Sequence, residues 1–176
     1  MLDFTIGKDP YLDLEIAAYD VIASVAHVTM LESVGLITGS EKTALIGELL
    51  KIYESIETGT FRIEEGMEDV HSQVENILTA KLGDSGKKVH TARSRNDQVL
   101  TDLKLFYRDR TVRLAEMTGK LAEKLLEKSE LHKGVIIPGY THFQAAMPSS
   151  FGLWFGAYAE SLAEDLMIHE GIMNYI

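Results

Sequence analysis

The sequence contains no cysteine, only three prolines and a single tryptophan among its 176 residues. Without cysteine the chain can form neither a disulfide framework nor a thiolate zinc site, which suits a reducing compartment. Few prolines favour long uninterrupted helices, because proline removes a backbone donor and clashes with the preceding turn. The sequence also lacks a signal-peptide pattern and any apolar run of about 18 residues. We therefore expect a cytoplasmic protein without membrane segments.

Positive charge is scarce as well, since 17 Lys and Arg residues oppose 27 Asp and Glu residues and give a net charge of −10. This excess of acid argues against a nucleic-acid partner and against an anionic membrane surface. It does not argue against a small anionic substrate, because a local basic cluster can oppose the overall sign. Apolar residues make up 45% of the chain, as is typical of a globular protein.

Apolar residues recur at helical spacing over most of the chain. Asp13 is the candidate N-cap of the first helix, and Thr38 with Glu41 forms a capping-box pattern before the second. The helices predicted from this spacing run over about residues 14–34, 39–58, 70–82, 97–133 and 148–176.

We predict an all-α fold, with an N-terminal helical domain over residues 1–96 and the first long helices of a bundle over residues 97–176. The apolar surface of the long helix from residue 97 is wider than a two-stranded seam, so this helix must pack against several others. The only sheet that we expect is a short pair near Phe61–Ile63.

A polar segment precedes each long helix. The first polar segment, residues 88–98, gathers imidazole, hydroxyl, guanidinium, amide and carboxylate groups, each of which needs water, a partner or a ligand. Ser94 and Asp97 form a capping-box pattern, which predicts that this segment begins a helix. Free N–H groups and the helix dipole favour anions at such an end. On these residues alone, an ordinary charged loop with a cap is an equally good interpretation.

The second polar segment, residues 138–144, contains Thr141 and His142. We predict that it also enters a helix and that the two polar segments meet at one site. Histidine exchanges a proton near neutral pH, which makes His142 a candidate acid or base. A loop histidine taken alone is more often a structural hydrogen-bonding group.

Together, His90–Gln98 (HTARSRNDQ) and Pro138–Gln144 (PGYTHFQ) resemble the argininosuccinate lyase and delta crystallin family of the fumarase/aspartase superfamily. The resemblance extends over the whole chain, including residues 68–71 and the early helix that holds Asp20 and Ser24. It implies a helical-bundle enzyme that needs no cofactor and splits argininosuccinate into arginine and fumarate by β-elimination, in arginine biosynthesis. It also implies a homotetramer in which each active site draws residues from three chains.

The resemblance implies site residues at positions that match the family motifs. His142 is expected to transfer a proton or to orient the acid, and Ser24, Arg95, Asn96 and Thr141 are expected to contact the substrate. Arg95 would pair with a carboxylate, and Asn96 would donate to the succinyl part. The other expected pocket residues are His71, His90, Ser94 and Gln144.

Several points stay open. Ala145 and Met147 stand where the family usually has Arg and Gln, which leaves room for another superfamily lyase that releases fumarate from a different adduct. A non-catalytic structural protein like delta crystallin is a further alternative. No metal is expected, because Asp69 and His71 have no third ligand at a suitable spacing. The family's mobile loop with the catalytic serine has no counterpart in residues 1–176, so an N-terminal fragment that associates but lacks activity is expected.

Overall fold

The computed structural model describes residues 7–176, and the described part is helical apart from one hairpin. The helices are α1 (Asp9–Leu12), α2 (Ala17–Ser33), α3 (Gly39–Glu57), α4 (Val70–Leu82), α5 (Arg95–His132) and α6 (Phe151–Met173). Two 3-10 segments cover Asp13–Glu15 and Gly83–His90, and the strands are β1 (Ile136–Thr141) and β2 (Gln144–Ser150). The predicted all-α class is confirmed, and so are the two long helices.

The chain divides into two compact units, the first ending at Phe106 within α5 and the second beginning at Tyr107. The predicted domain boundary between residues 96 and 97 stays a prediction. In the first unit, α2, α3 and α4 pack their apolar faces against each other, because their apolar residues recur at helical spacing. The fully buried aliphatic side chains are Val21, Val28, Leu31, Leu45, Leu49, Val70, Val74, Leu78 and Val89.

The caps of the first unit match the sequence patterns with one exception. Glu41 N–H donates to Thr38 Oγ1 at 3.2 Å and Thr38 N–H to Glu41 Oε2 at 2.8 Å, which completes the predicted capping box of α3. Asp13 does not cap the first long helix, contrary to our prediction, because a 3-10 segment intervenes and α2 begins at Ala17. Its Oδ2 instead accepts a hydrogen bond from Val70 N–H at 3.1 Å, which joins the start of the chain to α4.

The predicted position of the sheet was wrong. No strand is assigned near Phe61–Ile63, and β1 pairs with β2 in an antiparallel hairpin. Thr141 pairs with Gln144, so His142 and Phe143 form a two-residue turn in which both φ angles are positive, at 48° and 62°. The second polar segment is therefore the end of a hairpin and does not enter a helix.

In the second unit, α6 begins at Phe151, later than the predicted start near Pro148. Ser150 is its N-cap and accepts from Leu153 N–H at 3.0 Å. Gly152 lets α6 approach the end of α5 closely, because a Cβ at this position would lie 2.5 Å from Lys133 Cα. Ser129 Oγ also donates to the Gly152 carbonyl at 2.7 Å.

In the described part of the chain, no single helix is long and apolar enough to cross a membrane. One bent pair, Asp9–Glu15 with Ala17–Ser33, meets the requirement on length and composition across a 67° bend. Core helices pass the same test, and α2 buries Ala17, Val21 and Val28 in the core of the first unit.

Gly86 provides a test of the packing between α4 and the 3-10 segment that follows it. A Cβ at residue 86 would lie 2.4 Å from the carbonyl carbon of Leu78, whereas one at Gly47 on α3 would meet nothing within 4 Å. We expect Gly86→Ala to lower the free energy of unfolding by about 1–3 kcal/mol or more. The control Gly47→Ala should raise it by about 0.5–1 kcal/mol. Denaturant unfolding of both variants checks this, and equal values would contradict the packing described.

Candidate functional site

The first polar segment lies at the N-terminal end of α5, as predicted. Ser94 N–H donates to Asp97 Oδ2 at 2.9 Å, and Asp97 N–H lies 3.4 Å from Ser94 Oγ, which forms the capping box. Arg95 and Asn96 therefore occupy the first turn of the helix, and both are exposed. Two exposed donors beside free helical N–H groups make an arrangement that favours an anion.

The segment that leads into α5 is anchored by its backbone. His27 Nε2 on α2 lies 2.8 Å from the Thr91 carbonyl, to which it donates. Ala92 then adopts a φ of 65°, a left-handed conformation that costs a residue other than glycine about 1–2 kcal/mol. Arg93 N–H closes the turn by donating to the His90 carbonyl at 3.1 Å. These contacts fix the direction in which the chain enters α5.

Arg95 already pairs with a carboxylate within the first unit. Its Nη1 forms an ion pair with Asp69, and both terminal nitrogens lie 3.4 Å from Ser72 Oγ. Asp69 also caps α4 by accepting from Ser72 N–H at 2.8 Å. The guanidinium is thus held near the start of α4 and remains partly exposed, so an incoming carboxylate can compete with Asp69 for it.

Ser24 lies inside the first unit. It is fully buried on α2, and Arg93 Nη2 donates to its hydroxyl at 3.4 Å. The same nitrogen lies 3.4 Å from His90 Nδ1, which also contacts the buried Gln98 amide. Ser24, expected from the family resemblance to touch the substrate, is not accessible at the surface of the first unit.

His90 is held in its neutral form by its surroundings. Burial is the largest effect on its pKa, and the positive charge of Arg93 acts in the same direction, so that the pKa falls to about 4. Asp20 opposes this shift without cancelling it. A neutral imidazole can accept a hydrogen bond from Arg93 or Gln98, which a protonated one could not.

Three titratable side chains from α2, α4 and α5 meet in the core of the first unit. Asp20, His71 and Asp102 are 0%, 1% and 0% exposed, and His71 Nδ1 lies 2.8 Å from Asp20 Oδ1 and 3.8 Å from Asp102 Oδ2. Burial and the charge of Asp20 raise the pKa of Asp102 to about 7. Burial lowers the pKa of His71, but the hydrogen bond and charge of Asp20 outweigh it and raise the pKa.

Sequence reasoning identified His71 but missed Asp102 and gave Asp20 no chemical role. One feature of the sequence could have identified Asp102. It is a carboxylate on the apolar stripe of the predicted helix, one position before Leu103. Donor atoms of Asp20, His71 and Asp102 lie within 4.8 Å of one another, a spacing that would suit a metal ion. The expectation of no third ligand beside His71 therefore overlooked residues that are distant in sequence.

The second unit holds the other expected residues. Thr141, His142 and Gln144 are exposed at the end of the hairpin, and Phe143 beside them is 106% exposed. Two-residue hairpin turns of this kind favour Asn and Gly, so two consecutive side chains with positive φ store strain. That the two polar segments meet at one site stays a prediction.

Ala145 and Met147, where the sequence departs from the family, both lie on β2. Ala145 pairs with Tyr140 across the hairpin. Met147 is exposed, and its carbonyl oxygen lies close to Gly139. A Cβ added at Gly139 would be 2.9 Å from this oxygen. Neither departure disturbs the pairing of Thr141 with Gln144.

Comparison with solved structures identifies the class of fold. An EDDS lyase variant with bound fumarate superposes with a TM-score of 0.75 at 26% identity, over 91% of this chain and 31% of that one. A fumarate lyase:delta crystallin from Brucella melitensis superposes with a TM-score of 0.79 at 18% identity, over 99% of this chain and 44% of that one. The chain thus has the helical fold of the fumarate lyases and delta crystallin.

The family follows from the sequence. A family model described as lyase matches residues 6–175, and the chain belongs to that family. It is 59% identical over 165 residues to an argininosuccinate lyase of Parabacteroides distasonis, covering 94% of this chain and 37% of that protein. It is 39% identical over 173 residues to the argininosuccinate lyase of Thermotoga neapolitana, covering 98% of this chain and 44% of that protein.

The resemblance to the argininosuccinate lyase family that the two polar segments indicated is confirmed. The chain spans 37% of the length of its relatives from Parabacteroides distasonis and Phocaeicola vulgatus.

The depressed pKa of His90 can be measured directly. Because burial holds the pKa near 4, we expect the imidazole to remain neutral down to about pH 5. A histidine in a free peptide would be mostly protonated there, with a pKa near 6.5. NMR of the protein labelled with carbon-13 in histidine, with the His90 signal assigned from a His90→Gln variant, checks this. A midpoint near 6.5 would contradict the buried neutral role.

Proposed function

We propose that the complete protein containing these 176 residues is an argininosuccinate lyase, which converts argininosuccinate reversibly to arginine and fumarate as a step of arginine biosynthesis. The observation that carries the proposal is the first polar segment at the start of α5, where Arg95 and Asn96 are exposed in the first turn of the helix. The relatives named argininosuccinate lyase support the choice of substrate.

The reaction places three demands on the protein. A base must remove a weakly acidic proton from the carbon next to a carboxylate. Positive groups or hydrogen-bond donors must then hold the doubly charged aci-carboxylate that forms. As the C–N bond breaks, its electron pair goes to the guanidinium nitrogen of arginine, which an acid protonates, and the remaining carbons form the double bond of fumarate. The substrate's own carboxylate accepts the electrons, so the step requires no cofactor.

The exposed residues of both units match these demands in chemical type. Arg95 would exchange Asp69 for a substrate carboxylate, and Asn96 would donate to the succinyl part. Thr141 offers a hydroxyl group and an exposed position at the end of the hairpin. His142, with the positive φ of the turn, would transfer a proton or orient the acid. Ser24 is proposed to contact the substrate as well, and the residues proposed to shape the pocket are His71, His90, Ser94 and Gln144.

The proposed partners are a small-molecule substrate and further copies of the same chain. Apolar side chains of α5 and α6 form an open groove in the second unit, lined by Leu121, Leu125, Trp154, Phe155, Tyr158 and Leu162. Such a surface is costly in water at roughly 25 cal/mol per Å², which supports a homotetramer with a shared bundle. The acidic net charge supports the absence of nucleic-acid and membrane partners, and the lack of cysteine supports a cytoplasmic location.

A second candidate reaction is the release of fumarate from another adduct. The solved EDDS lyase with bound fumarate, at 26% identity, favours keeping this alternative, as do Ala145 and Met147. A non-catalytic role like that of delta crystallin is the third. Fumarate absorbance measured on the complete protein with argininosuccinate, and with other aminosuccinate adducts, separates the three, since only the first candidate turns over argininosuccinate.

Two variants test the proposed residues. In the complete protein, His142→Asn and Asn96→Ala should each lower kcat/KM for argininosuccinate by at least ~100-fold, which is the low end for a positioned acid or base. Thermal stability should change little, because both side chains are exposed, apart from a slight rise for His142→Asn, since asparagine tolerates the positive φ of this turn. The matched controls are His169→Asn on α6 and Asn76→Ala on α4, which should leave kcat/KM within about twofold of the unsubstituted value. Kinetics of either test variant that match its control would remove that residue from the site.

A further inference from the structure

The cluster of Asp20, His71 and Asp102 leaves several buried polar atoms without partners. Both carboxylate oxygens of Asp102, Oδ2 of Asp20 and Nε2 of His71 are fully buried and have no hydrogen-bond partner among residues 7–176. An ionised Asp102 in such a place is costly, because burial removes its hydration and a carboxylate oxygen of Asp20 lies within 4.8 Å. A proton held within the cluster lowers this cost, because it removes one buried negative charge or adds a positive imidazolium beside the two carboxylates.

The charges around the cluster decide how much positive charge is needed. Asp20 and Asp102 contribute two negative charges, and the half-buried Arg93 guanidinium contributes one positive charge that interacts with both. His90 is neutral, for the reasons given above. The titratable or charged groups that face the cluster from the elements packed against it are Asp13, Asp20, His71, His90, Arg93, Asp97 and Asp102. Asp13 and Asp97 add negative charge from half-buried and exposed positions, so with both buried carboxylates ionised and His71 neutral the cluster is at least one positive charge short.

We propose that Asp20, His71 and Asp102 form a buried proton-binding site in which His71 and Asp102 hold one proton between them, so that the cluster with Arg93 is electrically neutral. The proton resides on the imidazole, which then donates to Asp20 and faces an ionised Asp102, or on Asp102 itself. Either arrangement has the same net charge and needs no movement of the backbone.

A divalent metal ion fits the same atoms less well. With His71 neutral, a metal ion of charge +2 and Arg93 would exceed Asp20 and Asp102 by one positive charge, an excess that the half-buried Asp13 nearby would reduce. The separation of 2.8 Å between His71 Nδ1 and Asp20 Oδ1 is also an ordinary hydrogen-bond length. A single proton satisfies both the charge balance and this contact.

The site makes stability depend on pH with a defined sign. Both Asp102 and His71 have pKa values in the folded chain that lie above their ordinary values, and that of Asp102 is raised to about 7. The folded state therefore binds the proton more tightly than the unfolded state does, so stability falls as the pH rises from the ordinary carboxyl range to about 7 for Asp102, and from the ordinary imidazole range upwards for His71. Asp102→Asn should remove the part of this dependence that Asp102 contributes, whereas the effect of Asp20 on His71 remains.

The test compares thermal unfolding midpoints of the complete protein between pH 5.5 and pH 8.5. We subtract the midpoint of the unsubstituted protein from that of Asp102→Asn at each pH. We expect this difference to be roughly 2–4 °C or more larger at pH 8.5 than at pH 5.5. Asp165→Asn, at an exposed carboxylate on α6, is the matched control and should keep a constant difference. A constant difference for Asp102→Asn as well would overturn the proposal. A second result would also overturn it. If zinc or manganese raised the unfolding midpoint of the unsubstituted protein but not that of Asp102→Asn, the cluster would be a metal site.

A second measurement does not depend on the folding of a variant. Neutron diffraction from deuterated crystals of the unsubstituted protein at about pH 6.5 locates the proton itself. We expect either deuterons on both ring nitrogens of His71 or one deuteron on a carboxylate oxygen of Asp102. A singly deuterated His71 facing an ionised Asp102 would refute the proton-binding site.

Discussion

The need to offset buried negative charge governs the centre of the first unit. Asp20, His71 and Asp102 come from three different helices, and Arg93 comes from the segment that leads into α5. Each alone would destabilise the core by several kcal/mol, because the protein interior does not replace the lost hydration. Together they form a set of opposite charges, so the polar groups tie α2, α4 and α5 to one arrangement in a way that apolar packing alone does not.

The exposed part of the first polar segment depends on this buried arrangement. Arg93 extends inward towards Ser24 and His90, while its neighbours in sequence lie on the surface at the first turn of α5. The capping box of Ser94 and Asp97 marks the change from buried to exposed positions. In this short stretch of sequence some side chains hold the helices together, and others lie on the surface, where we propose that they contact a ligand.

A structural feature could be predicted from the sequence when the residues that form it are close together along the chain. The helices, their long lengths and the capping boxes at Thr38 and Ser94 follow from spacing and from contacts three or four residues apart, which can be read along the chain. Asp13 was misassigned because its partner, Val70, lies far away in sequence. The association of Asp102 with His71 was missed for the same reason, because these two residues are also far apart in sequence.

The hairpin illustrates a different limit. The turn residues His142 and Phe143 have none of the Asn or Gly that usually mark a two-residue turn, so local chemistry gave no reason to place strands on either side. Its sequence was instead interpreted as a helix entry, because Pro148 and a long apolar stripe follow it. The family motif singled out His142 as a candidate, which stays a prediction, and it did not reveal the backbone that carries this residue.

The neutrality of the buried cluster has a consequence for how the sequence can change over time. Loss of any one charge among Asp20, His71, Arg93 and Asp102 leaves an unbalanced charge in the core, whereas a simultaneous loss of one acid and one base does not. Substitutions at these positions are therefore not independent, and the effect of one depends on the state of the others. Related sequences should pass between alternative versions of this core through paired replacements, and intermediates with a single change should be short-lived in evolution.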